Sequence, residues 1–160
     1  MAYLETLLEV NDLESGDFTL KETYAIDAGD FAAAGEISSK IKKKLKQIGI
    51  DSNIIRRATI AAYEAELNVV IHSMGGELIL ELGPKMLQII VMDIGPGIDG
   101  IDLAMREGYS TAPDNVRQMG FGAGMGLPNM KRCSDDFSIQ SKVGQGTVVR
   151  ILIHLSQNAK

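Results

Sequence analysis

A chain of 160 residues, 45% hydrophobic and 23% charged, is long enough for one domain with a buried core and short of two. The net charge of −5 argues against nucleic acid as the main partner, and no apolar run approaches the ~20 residues a membrane helix needs. The single cysteine, Cys133, excludes an internal disulfide and reads as a plain thiol.

The stretch "MAYLETLLEVNDLESGD" lacks the basic start of a secretory signal, so a cytoplasmic location is expected. Leu4, Leu7, Leu8 and Leu13 allow a short helix over 1–15. Alternation through Phe18, Leu20 and Ile26 predicts a strand over 18–27. Asp30 is a cap for a helix running to about Ile48, with Gly49 as its stop. Its lysine run "KIKKKLK" (40–46) alternates with Ile41 and Leu45 as the wet face of an amphipathic helix. "DSN" at 51–53 caps a long helix to about Ser73, and Gly75-Gly76 is a turn. Strands follow at 77–83 and 86–95, then a short helix from Ile101 to about Glu107. A helix over about Leu127–Ser134 and strands at 136–142 and 146–155, around the turn Gly144-Gln145-Gly146, complete the chain. These elements predict an α+β protein: a two-layer sandwich with a mixed sheet of at least four strands and helices on one face.

Four short stretches carry chemistry. On the long helix, Arg57, Glu64, Asn68 and His72 form a stripe amid apolar residues, while Arg56, Thr59, Tyr63 and Glu66 share the side taken as wet. Glu64 and Asn68, one turn apart on a buried flank, are either a satisfied polar pair or two groups aimed at one point. Asp93 ends an apolar strand before Gly95-Pro96-Gly97. That is either a turn or a carboxylate placed to accept from an exocyclic amine such as adenine N6. Gly120, Gly122, Gly124 and Gly126 alternate ahead of a helix, as a mobile tip or as a loop whose N–H groups wrap an anion. Gly144-x-Gly146-Thr147 alone is a hairpin turn.

The order of these stretches is more specific than any one of them. Glu-x-x-x-Asn, Asp-x-Gly-x-Gly, Gly-x-Gly-x-Gly and Gly-x-Gly-Thr resemble the GHKL ATPase family over about residues 25–155. Within it, "EAELNVVIH", "LAMREGYST" and "GMGLP" are similar to the small serine kinases of bacterial partner switching, the anti-sigma factors and the stressosome switch kinase. No dimerisation helix with a phospho-accepting histidine is evident; His72 and His154 stand elsewhere.

The resemblance implies the Bergerat ATP-binding fold over 17–156, preceded by an extension over 1–16, with ATP and Mg2+ as cofactors. It implies Glu64 as general base and Asn68 as the Mg2+ ligand. Asp93 would read adenine, with Gly95 and Gly97 at the base and Thr147 acting through water. The backbone of Gly122, Gly124, Met125, Gly126 and Leu127 would meet the phosphates, with Arg117 and Lys131 balancing their charge. The implied partner is an anti-sigma-antagonist protein of the STAS kind, with a sigma factor or phosphatase as a further partner and a homodimer as the assembly. An ATP-gated sequestering module with little kinase activity is the alternative, and a simple ATPase a third reading. The segment "STAPDNVRQMGFGAG" is longer than in the switch kinases.

Overall fold

A computed structural model of the chain describes residues 18–118 and 124–155. The expected helix over 1–15, the extension over 1–16 and Gly122 lie outside the described residues. The elements run β1 (Leu20–Ile26), α1 (Glu36–Ile48), α2 (Ser52–His72), β2 (Gly76–Leu82), β3 (Met86–Ile94), α3 (Ile101–Ala104), α4 (Asp114–Gln118), α5 (Gly126–Cys133), β4 (Asp136–Lys142) and β5 (Gly146–His154).

The strands form one sheet in the order β1-β2-β3-β5-β4. The sheet is antiparallel at every pairing, not mixed as the sequence led us to expect. The reason is in the connections. The excursion through α1 and α2 returns the chain to the end of the sheet it left, where Ile26 faces Gly76, so β2 runs back beside β1. β2-β3 and β4-β5 are hairpins, which are antiparallel by construction.

Alternation along the strands turns Leu78, Leu80, Ile89, Val91, Val149, Ile151 and Ile153 toward the helices, and all are buried. From the helix layer, Ile41 and Leu45 of α1 and the alanines Ala58, Ala61, Ala62 and Ala65 of α2 join the same core. Full burial of one Leu or Ile contributes roughly 1.5–3 kcal/mol, so this interlayer core is the main source of stability. The small alanines let α2 pack closely against both α1 and the sheet. On the opposite face Ile79, Ile90, Met92 and Val148 form a second, smaller buried cluster.

α1 begins six residues after Asp30. Asp30 caps only a turn, accepting from the Ala33 N–H at 3.2 Å, and Gly35 at φ 98° then sets the helix direction. Gly35 offers no side-chain cap. Glu66 takes that place. It was expected on the wet side of α2 but is only 3% exposed, because α1 crosses that side. Burial pushes its pKa up, while the backbone N–H groups of Gly35, Ile37 and Ser38 pull it down. A carboxylate suits these donors and the partial positive charge of a helix N-terminus. Glu22 of β1 pairs with Lys44 of α1.

Arg57 fixes the far end of α5. Its Nε donates to the Cys133 carbonyl at 3.0 Å and its Nη2 to Asp135 Oδ1 at 3.0 Å. A cation at the last carbonyls of a helix complements its dipole. α4 was not anticipated: Pro113 accepts from the Val116 N–H at 3.0 Å and starts a single turn inside what read as a continuous loop.

Candidate functional site

One end of the sandwich opens into a cavity of about 590 Å3, between α2, the ends of β3 and β5, the segment 96–111 and the start of α5. That volume falls in the range of small-molecule sites. Its walls come from both layers.

The sheet wall carries Asp93 and Thr147, directly opposite in the β3–β5 register. Burial pushes the Asp93 carboxyl up to about 6, and the backbone N–H of Thr147 acts against that shift. Glycine is required here by contact. At Gly97, with φ +73°, a Cβ would stand 2.5 Å from the Lys142 carbonyl oxygen. At Gly146 it would stand 2.0 Å from the Asp93 carbonyl oxygen. The loop after β3 is therefore pressed onto the β4–β5 turn, and two bonds hold it there. Gly95 N–H donates to the Gln145 carbonyl at 3.1 Å, and Gly144 N–H to the Pro96 carbonyl at 2.8 Å. Gly95 itself backs onto Ser73 behind the cavity wall.

The helix wall carries Glu64 and Asn68, stacked one turn apart on α2. The start of α5 meets them: a Cβ on Gly126 would lie 3.2 Å from Asn68 Oδ1 and 3.3 Å from Glu64 Oε2. Asn129 Nδ2 donates to Glu64 Oε1 at 3.4 Å, and its own Oδ1 accepts from Arg132, which fixes the amide's orientation. Burial raises the Glu64 pKa, with the Asn129 bond opposing. Among the described residues α5 has no side-chain cap, and Pro128 in its first turn carries no N–H, so Gly126 and Leu127 bring its orphan donors to the cavity. Gly124, with φ +79°, is fastened to Gly108, whose N–H donates to the Gly124 carbonyl at 2.9 Å.

Of the residues singled out from the sequence, Glu64, Asn68, Asp93, Gly97, Gly124, Met125, Gly126, Leu127 and Thr147 line this one cavity. Gly95 supports it from behind. Lys131 is exposed on α5 and does not line it. Arg117 falls in α4, and its side chain, like Gly122, is outside the described residues.

Two supporting residues had escaped the sequence reading of the site, Asn129 and Ser141; His72, read on one stripe with Glu64 and Asn68 but given no role, lines the cavity, and burial lowers its pKa. Counting back from the Gly144 turn places Ser141 opposite Thr147, and α-helical spacing places Asn129 one turn from Gly126.

The donor set also bears on a metal. Among the described residues no three His, Cys, Asp or Glu side chains gather into a metal cage. One amide oxygen beside one carboxylate fits a hard cation that takes most of its ligands from phosphate and water.

Serine/threonine-protein kinase RsbT of Bacillus subtilis (strain 168) is 33% identical over 127 residues, covering 77% of this chain and 87% of that protein. An anti-sigma F factor of Clostridium acetobutylicum is 34% identical over 95 residues, 56% of this chain and 63% of its own. The crystal structure of the RsbU and RsbW domains of Rv1364c from Mycobacterium tuberculosis superposes with a TM-score of 0.60 at 19% identity, over 89% of this chain and 34% of that one. The SiaB-SiaC complex from Pseudomonas aeruginosa gives a TM-score of 0.56 at 15% identity, over 96% of this chain and 99% of that one. These two structural likenesses speak for the fold. Residues 50–157 match the family described as histidine kinase-, DNA gyrase B-, and HSP90-like ATPase, and the chain belongs to that family.

Proposed function

We infer that this protein is an ATP-dependent protein serine/threonine kinase of the bacterial partner-switching type. The observation that carries the reading is the meeting of Glu64, Asn68 and the uncapped start of α5 at one end of a cavity whose other wall presents Asp93 and Thr147. A purine amine donates to Asp93, and the phosphates reach the N–H groups of Gly126 and Leu127. Glu64 then stands where it can take the proton of a seryl or threonyl hydroxyl. As that oxygen bonds the γ-phosphorus, the bond to the β-phosphate oxygen breaks and ADP leaves. Asn68 would hold Mg2+, which, when bound, offsets the charge of the phosphates.

The kinase relative, similar over most of both chains, supports transfer to protein. The partner is a small protein of the STAS kind, with a sigma factor or phosphatase as a further partner, in the cytoplasm and with the kinase as a homodimer. The anti-sigma F factor relatives favour the second reading, a module that grips its partner under ATP and phosphorylates it little. Capture of partners from native lysate with Mg·ATP, and with a non-hydrolysable analogue, separates the two. The kinase reading expects a partner that gains one phosphate on serine or threonine and is then released. Retention of the partner under ATP with no added mass would overturn it.

A further inference from the structure

Ser141 Oγ has three polar neighbours: the N–H of Ile98 at 2.7 Å, the carbonyl of Gly146 at 3.0 Å and Thr147 Oγ1 at 2.8 Å. A serine hydroxyl has one hydrogen and two lone pairs. The Gly146 carbonyl can only accept, so it takes that hydrogen. The Ile98 N–H can only donate, so it uses one lone pair. The other lone pair faces Thr147, and the Thr147 hydroxyl must therefore donate to Ser141. Its hydrogen is spent inside the hairpin. Toward the cavity Thr147 has lone pairs to offer, and its register partner Asp93 is an acceptor as well when ionised.

We propose that Ser141 is a specificity-determining positioning residue. By holding the Thr147 hydroxyl as an acceptor it makes the base end of the cavity an acceptor wall, which receives a 6-aminopurine and rejects a 6-oxopurine. The inference rests on the reading of this cavity as a nucleotide site. Ser141 is a neighbour of the base wall and acts through Thr147; through Ile98 it also anchors the loop that carries Gly97.

ITP is the probe, since inosine differs from adenosine at the 6-position and its adjoining N1–H alone. Calorimetric titration of ATP and ITP, each with Mg2+, would be run on the native sequence, Ser141→Ala, Thr147→Val and the double variant. The native protein should prefer ATP. Ser141→Ala frees the Thr147 hydroxyl to rotate and donate to a 6-oxo group, so the ATP/ITP affinity ratio should fall about five- to tenfold. With Thr147→Val already in place, removing Ser141 should leave the ratio unchanged. Ser141→Thr, which keeps a hydroxyl, should retain the native ratio. If the alanine variant does not fold, Ser141→Cys, close in shape and weak in hydrogen bonding, reads the same ratio. Equal weakening of both nucleotides would make Ser141 a scaffold residue and overturn the inference alone. A native protein that binds ATP and ITP equally would overturn the base-site reading and the inference with it.

Discussion

Asp93 on β3 and Thr147 on β5 are register partners, and the backbone of one bears on the charge of the other. A carboxylate placed in the sheet in this way is half-buried before any ligand arrives. Asp93→Asn would present a donor to a donor. ATP affinity should fall about 30- to 150-fold, the equivalent of ~2–3 kcal/mol, as read by calorimetry. An unchanged affinity would remove Asp93 from the base site.

The same burial has a cost in the free protein. Its pKa of about 6 lies above the ordinary carboxylate range, so the folded state keeps a proton that the unfolded chain releases. The stability contributed here falls as pH rises from about 4 to about 6 and is level beyond. Asp93→Asn should therefore raise the nucleotide-free Tm at pH 7, by about 2–4 °C for ~1 kcal/mol. ATP affinity of the native protein should drop below about pH 6, as the ionised acceptor is lost. Thermal scans and titrations across pH 5–8 check both.

Glu64→Gln keeps the shape of the side chain and removes the proton acceptor. Nucleotide should still bind, while transfer to a partner falls by about 10²–10⁴. Because burial raises the Glu64 pKa, the native rate should climb with pH as the carboxylate ionises and then level off. A pH–rate profile of single-turnover transfer distinguishes this from a loss of binding.

Gly126→Ala places a methyl against the Asn68 and Glu64 side chains, at the 3.2–3.3 Å separations already given. At the first position of α5 the gain in helix propensity is smaller than the roughly 0.5–1 kcal/mol of a helix interior, and the tips of Asn68 and Glu64 must give way to the methyl. The Tm should stay level while Mg·ATP turnover falls by about tenfold or more. A variant with native turnover would show that the start of α5 is not held against these two groups during the reaction.

Glu66→Ala leaves the N–H groups at the start of α1 facing a buried gap. The loss should be about 1–3 kcal/mol in denaturant unfolding, and Glu66→Gln, which keeps an acceptor, should recover part of it. Substitution of a solvent-facing glutamate would change nothing measurable.

That last contrast marks where the sequence was readable. Helical periodicity put Glu66 on one side of α2 with Arg56 and Tyr63, correctly, but the side that α1 covers is a tertiary fact. The gathering of Glu64, Asn68, Asp93 and Thr147 around one cavity was legible because their placement rests on short-range features: one helical turn, a strand end before Gly-x-Gly, and the first residues after a turn. Ser141 was missed, since "DFSIQSK" reads as an ordinary half-buried strand unless its register with β5 is counted back from the Gly144 turn. The mixed sheet was a similar error. Strand direction depends on the end of the sheet to which α1 and α2 return the chain, and periodicity carries no such information.

Because Asp93 belongs to the sheet and the start of α5 to the helix layer, a molecule filling the cavity rivets one layer to the other. Any motion that parts the layers must first expel it. At one hundred times its dissociation constant such a ligand adds ~2.7 kcal/mol to unfolding. The shelf life of this protein, and its resistance to a protease that cuts the opened form, should thus follow the nucleotide concentration in the buffer as well as the temperature.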